Sequence, residues 1–147
     1  VRGTSPHMHM VHQHYTSFPW LNVLDNTLMV YKGHKVKVTS EMRQGAINIL
    51  TELGLGEHLK KNPHQLSGGQ DQRLSIASAL INDMSSVILY DEMTSALDEE
   101  NDFIVSRLIE EHQRRTGNIC IIITHEDHVA RALNGHVVEF TKEWRIR

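Results

Sequence analysis

The sequence predicts an α/β fold in which a parallel sheet is layered with helices. Amphipathic helical patterns alternate with short apolar runs from residue 71 onward, an order typical of parallel sheets. Residues 22–65 lack strand patterns and read as a small, mainly helical section. The length of 147 residues, with 39% hydrophobic and 22% charged residues, suits one globular domain with a real core.

Charge and cysteine content narrow the range of functions. The net charge of −3 provides no general basic surface, so no nucleic-acid partner is expected. The single cysteine, Cys120, cannot form an internal disulfide and fits a reducing compartment. No apolar stretch approaches the length of a membrane span, so any membrane role would work through a partner.

The first half of the chain predicts one strand followed by helical segments. We expect a strand at residues 7–11, a short helix at 22–30, a loop at 31–38 and a longer helix at 40–53. Thr39 or Ser40 provides a polar cap for the longer helix, and Gly54 ends it. A polar connection that contains Pro63 leads to the next helix.

The second half predicts alternating helices and strands. We expect helices at residues 71–81 and 98–115 and a short helix at 127–133. Strands are expected between and after them, at 87–90, 119–124 and 137–140. Ser67 and Gln70 fit the serine-x-x-glutamine capping box before the first of these helices. The run at 87–90 is apolar throughout, which indicates a strand covered on both sides.

A glycine loop precedes the capped helix. Ser67, Gly68 and Gly69 stand where unpaired backbone N–H groups and the helix dipole favour an anion, and glycines let a phosphate approach the backbone closely. A flexible loop with a good helix cap is the alternative interpretation. The loop alone leaves both interpretations open.

Acidic residues and a histidine follow two of the predicted strands. Asp91 ends the first strand, where a carboxylate can hold Mg²⁺, and Glu92 can orient or deprotonate a water in phosphoryl transfer. His125 follows the next strand, where it can hydrogen-bond a phosphate or order the water. The carboxyl edge of an open α/β sheet is the usual ligand edge.

Taken together, these motifs follow one order along the chain. The series is Gln13 after a strand, Leu66–Gln70 before a helix, Asp91-Glu92 after an apolar run, Ser95–Asp98, and Thr124–Glu126 after the next strand. This series closely resembles the ATP-binding subunit of ABC transporters, from about Met8 to Phe140. Its most specific parts are Leu66–Gln70 and Leu89–Asp98.

The resemblance implies a role for each motif. Gln13 would be the Q-loop glutamine, which contacts Mg²⁺ and the catalytic water. Ser67, Gly68, Gly69 and Gln70 would form the signature motif, which meets the γ-phosphate of ATP held mainly by the opposite subunit. Asp91 would hold Mg²⁺ and Glu92 would be the catalytic base. Asp98 would be the D-loop aspartate at a dimer interface, and His125 the switch histidine.

It also implies an organisation and a set of partners. The expected fold is a P-loop NTPase-like core that lacks its N-terminal part and carries a small helical subdomain. Residues 1–21 would end the N-terminal part with the Q-loop, 22–83 would form the helical subdomain with the signature helix, and 84–147 would complete the RecA-like core. A second ATP-binding subunit, transmembrane subunits, ATP and Mg²⁺ are the implied partners, at the cytoplasmic side of a membrane.

The chain departs from the family pattern in one major respect. No Gly-x-x-x-x-Gly-Lys-Ser/Thr sequence occurs in it, and that loop normally cradles the β- and γ-phosphates. We therefore expect the phosphate loop to lie upstream in a longer product, and the chain to be inactive alone. Met93 replaces a usual proline and could loosen the turn after Glu92.

Three functions fit this pattern. The first is a part of an ATP-hydrolysing transporter subunit. The second is a truncated module that does not hydrolyse ATP but offers its signature motif to a complete partner. The third is an ABC ATPase outside transport, a class that usually carries long coiled coils or tandem domains, and the sequence shows neither.

Overall fold

A computed structural model describes residues 7–12, 17–94, 97–133 and 135–139 of the chain. Its sheet has three parallel strands in the order β1 (Met8–Val11), β2 (Val87–Asp91) and β3 (Ile119–Ile123). The central strand pairs Ile88 with His9 on one side and with Cys120 on the other. The α/β class and the parallel sheet predicted from the alternating pattern are confirmed.

Five α-helices accompany the sheet in the described part of the chain. They are α1 (Val23–Gly33), α2 (Ser40–Glu52), α3 (Gly68–Leu80), α4 (Glu99–Thr116) and α5 (Asp127–Ala132). Two short 3₁₀ turns, Gly56–His58 and Pro63–Gln65, fill the connection between α2 and α3. Among the described residues, none of these helices is both long and apolar enough to cross a bilayer.

Polar caps fix the starts of the helices. The Asn22 side chain accepts from the backbone N–H of Asp25 at 2.8 Å, and Thr39 caps α2 in the same way. Each bond satisfies one of the N–H groups that a helix start leaves without a partner. The choice between Thr39 and Ser40 as the cap of α2 is therefore settled for Thr39.

The loop predicted at 31–38 starts later in the structure, since α1 continues to Gly33. Tyr31 is the reason. Its ring is buried among the helices and its hydroxyl donates to the backbone carbonyl of Ile81 at 3.1 Å. This contact between distant segments stabilises one more helical turn than the local pattern indicates.

Only one face of the sheet is fully covered. Ile88 and Tyr90 have no exposed surface, whereas Ile119, Ile121 and Ile123 are 61%, 49% and 49% exposed. Val87 and Leu89, on the second face of β2, are partly buried, so the prediction that the strand at 87–90 is covered on both sides holds only in part for the described residues. Parallel sheets normally have both faces covered, so the open face of this sheet is unusual.

The predicted last strand at 137–140 is also wrong over its described part. Residues 137–139 are not in a strand, and Val137 and Val138 are exposed. A strand needs a hydrogen-bonded neighbour, and none of the described strands pairs with these residues. An apolar pair alone does not make a strand.

Helix α3 connects the helical section with the sheet. It contacts α1 and α2 in the helical section, and also β1 and α4. Leu50, Leu74 and Ile88 belong to one buried cluster, so the core is continuous from α2 through α3 to the sheet. The bounds 1–21, 22–83 and 84–147 stay a prediction.

Gly117 closes α4 in the left-handed conformation. Its φ is 69°, and its N–H donates to the carbonyl of Gln113 at 2.8 Å. A side chain disfavours this conformation, so Gly117→Ala should lower the free energy of unfolding by about 1–2 kcal/mol. Urea unfolding measures this change. Gly33→Ala is the matched control, because it lies in α1 with free space around it and should cost nothing. Equal losses for the two variants would contradict this explanation.

Candidate functional site

The candidate site lies where β2 and β3 end side by side. Asp91 is the last residue of β2 and is paired with Ile123, the last residue of β3. The backbone N–H of Glu92 donates to the carbonyl of Ile123 at 2.9 Å, which continues the ladder one step beyond the strand. This bond fixes Glu92 at the edge of the sheet.

Glu92 has an unusual backbone conformation. Its φ is 47°, in the left-handed region that residues other than glycine rarely adopt. The Gln72 side chain, on α3, donates to its carbonyl at 3.3 Å. Strained residues of this kind cost about 1–3 kcal/mol and cluster at functional sites. The strain therefore supports a functional role for Glu92.

The side chains of Glu92 and His125 come together. His125 Nδ1 lies 3.5 Å from Glu92 Oε1, although the two residues are far apart in the chain. The Glu92 side chain is about one-third exposed and that of His125 about two-thirds. A carboxylate and an imidazole in contact at an accessible edge can bind and orient a water molecule.

Asp91 lies on the open face of the sheet. Successive strand residues point to opposite faces, so Asp91 shares its face with Leu89 and, through the register, with Ile121 and Ile123. Its side chain is partly exposed. Any cation held by Asp91 would lie on this uncovered side.

The turn after Glu92 is held by packing and by a hydrogen bond. Met93 is 1% exposed and belongs to the main core, so this side chain anchors the turn. The hydroxyl of Thr94 donates to Glu126 Oε2 at 2.7 Å, which ties the turn to the segment after β3. The expectation that Met93 loosens this turn is not met.

The glycine loop has the predicted capping box. Ser67 Oγ accepts from the N–H of Gln70 at 3.3 Å, and the Gln70 side chain accepts from the Ser67 N–H at 2.9 Å. Gly68 and Gly69 form the first turn of α3. The Gln70 amide also lies 3.0 Å from His58 Nε2. The start of α3 is therefore ordered and presents the backbone N–H groups of a helix N-terminus.

Asp98 caps α4. Its carboxylate accepts from both the backbone and the side chain of Asn101, at 3.0 and 2.7 Å. These two bonds hold the pKa of Asp98 below its usual value, so it is charged at neutral pH. Arg73 of α3 donates to the Asn101 amide oxygen, which links Asp98 to α3. In the described chain, Asp98 thus stabilises the start of α4.

Two of the sequence-predicted features fall outside the description. Gln13 lies outside the described residues, as do Ser95 and Ala96. Among the described residues, the structure brings Asp91, Glu92 and His125 together, and it places Ser67–Gln70 at the start of a separate helix. The hydrogen bond that joins α3 to the acidic turn is made by Gln72, in the body of α3.

Sequence reasoning missed Gln72. It lies four and eight residues before Ile76 and Leu80, so helical periodicity puts it on their face, and all three are buried. A polar residue on an apolar helix face usually satisfies a buried group. That pattern was the available signal for its bond to Glu92.

Comparisons with known proteins agree on one family. The family profile described as "ABC transporter" matches residues 2–95. The macrolide export ATP-binding/permease protein MacB of Shewanella sp. (strain ANA-3) is 43% identical over 127 residues, which cover 85% of this chain and 19% of MacB. The ABC transporter ATP-binding protein YtrE of Bacillus subtilis (strain 168) is 40% identical over 124 residues, 84% of this chain and 53% of YtrE.

A solved structure has the same fold. The dimeric structure of the bacterial ABC transporter cassette MJ0796 superimposes with a TM-score of 0.74 and 31% identity, and the match covers 84% of this chain and 54% of the cassette. The chain thus spans about half of the cassette and of YtrE, and a smaller share of MacB. The matching profile covers more than half of the chain, and the described fold matches about half of the cassette. The chain belongs to the ABC transporter family.

Proposed function

We propose that the chain is part of an ATP-binding subunit that hydrolyses ATP to drive the transport of a solute across a membrane. The observation that carries this proposal is the contact between Glu92 and His125 beside Asp91, at the carboxyl edge of the parallel sheet. ATP-binding proteins of the same family match the chain over most of its length, which supports nucleotide as the ligand.

The arrangement of side chains suits the hydrolysis of a phosphoanhydride. Glu92 Oε1 would accept the proton of an attacking water, and the strained backbone would keep this carboxylate aimed at the water. His125 would order the same water or donate to a terminal phosphate. Asp91 would hold Mg²⁺, which neutralises phosphate charge when bound. Gln13 would complete this set.

The rest of the phosphate site would come from outside residues 1–147. The sheet face that carries Asp91 is open and apolar, and the family relatives YtrE and the MJ0796 cassette are about twice as long as the matched part. We therefore assign the phosphate loop to a further segment of the same product, packed against Ile119, Ile121 and Ile123. Burial of this face would give the segment a stable position.

A second subunit would complete each ATP site. In this proposal Ser67, Gly68, Gly69 and Gln70 bind the γ-phosphate of ATP held by the opposite subunit, and Asp98 lies at the interface between the two. The exposed, well-capped start of α3 suits an anion that arrives from outside the chain. The helical section, 22–83, would contact transmembrane subunits, which hold the protein at the cytoplasmic membrane surface.

The test is ATP hydrolysis by the full-length protein, with a substitution at the start of α3. Ser67→Arg places a long cation where the γ-phosphate would bind, so we expect turnover to fall at least about tenfold while folding is retained. A steady-state phosphate-release assay measures this change. Thr39→Arg, which removes the exposed cap residue of α2 in the same way, is the matched control and should leave turnover unchanged. Full turnover in Ser67→Arg would contradict the proposed role of the loop.

A module that binds without hydrolysis is the second candidate. It is favoured by the intact start of α3, whose capping box forms from residues of this chain alone. Such a module would raise the turnover of a complete partner subunit on mixing. If the Ser67→Arg variant raises the partner's turnover as much as the parent chain does, the start of α3 does not act in this way and the role is excluded.

A further inference from the structure

A second cluster of potential ligands lies beside the candidate site. It consists of Asp102 on α4, Glu126 at the cap position of α5, and His128 in the first turn of α5. One ligand atom from each of the three lies within 4.8 Å of the other two. None of the three is assigned a catalytic or ligand-binding role in the ATP site proposed above, where Glu126 only accepts a hydrogen bond from Thr94. We propose that Asp102, Glu126 and His128 bind a divalent transition-metal ion such as zinc.

The distances suit a small tetrahedral ion. His128 Nε2 lies 2.8 Å from Asp102 Oδ2 and 4.0 Å from Glu126 Oε2. Around zinc, with ligand bonds of about 2.0–2.1 Å, neighbouring ligand atoms lie about 3.3–3.4 Å apart. These two distances fall on either side of this value, so side-chain shifts of less than 1 Å would bring both pairs to it.

Asp102 provides the independent sign of a missing ligand. Its side chain is only 7% exposed, yet Oδ1 has no hydrogen-bond partner among the described residues. Buried carboxylate oxygens are normally satisfied, and each exception needs an explanation.

The ligand types select the kind of ion. An imidazole with two carboxylates is typical of zinc and related transition metals, whereas magnesium prefers oxygen ligands alone. The hydroxyl of Thr94 donates to Glu126 Oε2, an outer hydrogen bond of the kind that orients metal-binding carboxylates. His128 is about half exposed, which leaves room for water in the fourth position. The site would join α4 to α5, the two helices that follow the Asp91–Asp98 and His125 segments.

The test is zinc binding by the full-length protein after removal of metals with a chelator. Isothermal titration calorimetry should show one site that Asp102→Asn and His128→Ala each weaken at least about tenfold. His64→Ala is the matched control. It removes an exposed histidine that is distant in sequence from the three proposed ligands, and this variant should bind zinc like the parent protein. A large excess of magnesium should leave the zinc isotherm unchanged. Cobalt absorption spectra should report tetrahedral coordination in the parent protein only.

Two results would overturn the proposal. One is zinc binding of equal strength in the parent protein and in His128→Ala, and the other is displacement of zinc by magnesium. His128 is half exposed whereas Asp102 is buried, so His128→Ala should disturb the fold less than Asp102→Asn, and it decides the test if Asp102→Asn does not fold. These measurements need no ATP hydrolysis, so the result does not depend on the function proposed above.

Discussion

Glu92→Gln in the full-length protein should abolish ATP turnover while ATP binding is retained. The amide has the shape of the carboxylate but cannot accept a proton from water, so the expected loss is about 10²–10⁴-fold in kcat. Two hydrogen bonds that hold the residue use its backbone N–H and carbonyl, to Ile123 and Gln72, and the substitution leaves both intact. Phosphate release measures turnover, and titration with a fluorescent ATP analogue measures binding.

Glu139→Gln is the matched control for this variant. Glu139 is exposed and lies outside the sheet edge, so the same chemical change there should leave kcat unaltered. Full activity in Glu92→Gln would remove Glu92 as the base. Loss of both turnover and ATP binding would mean that Glu92 acts in holding the nucleotide instead.

Ile88→Ala should cause the largest loss of stability. Ile88 is fully buried in the central strand, between His9 of β1 and Cys120 of β3, so the substitution leaves a cavity in the core. Removal of such a side chain typically costs about 2–5 kcal/mol. Urea unfolding should show a lower midpoint with an unchanged slope.

Ile121→Ala tests the opposite face of the same sheet. Ile121 is 49% exposed, so in residues 1–147 alone its loss should cost less than about 1 kcal/mol. In a longer product whose additional segment covers this face, the cost should approach that of Ile88→Ala. A loss below 1 kcal/mol for Ile88→Ala would contradict the described core.

Local patterns predicted most of the elements because local chemistry determines them. The capping box at Ser67 and Gln70 formed as expected, since its hydrogen bonds join residues three apart. Asp98 and Gly117 mark the two ends of α4 for similar reasons. The parallel sheet followed from the alternation of helices and apolar runs.

The predictions from local patterns fail where contacts between residues distant in sequence determine the structure. The last turn of α1 depends on a hydrogen bond from Tyr31 to Ile81, fifty residues further along the chain. The strand expected at 137–140 needed a neighbouring strand, and the described sheet provides none. An apolar run cannot tell a strand covered on both faces from one whose second face is open, as the exposure of Ile121 shows.

The candidate site was predictable in composition but not in geometry. Motif order identified Asp91, Glu92 and His125, and the parallel sheet explains why strands far apart in the chain end together. The left-handed backbone of Glu92 could not be read from the sequence, because glutamate rarely adopts it. Its support by Gln72 depends on how α3 packs against the turn.

The central claim is that Ser67 and Glu92 of one chain serve different ATP molecules in a dimer. The direct test joins a Glu92→Gln chain and a Ser67→Arg chain in one dimer, purified through two different tags. If each site takes Glu92 from one chain and Ser67 from the other, one of the two sites is intact, and up to about half of the parent turnover should return. Mixed dimers as inactive as the two separate variants would contradict the claim.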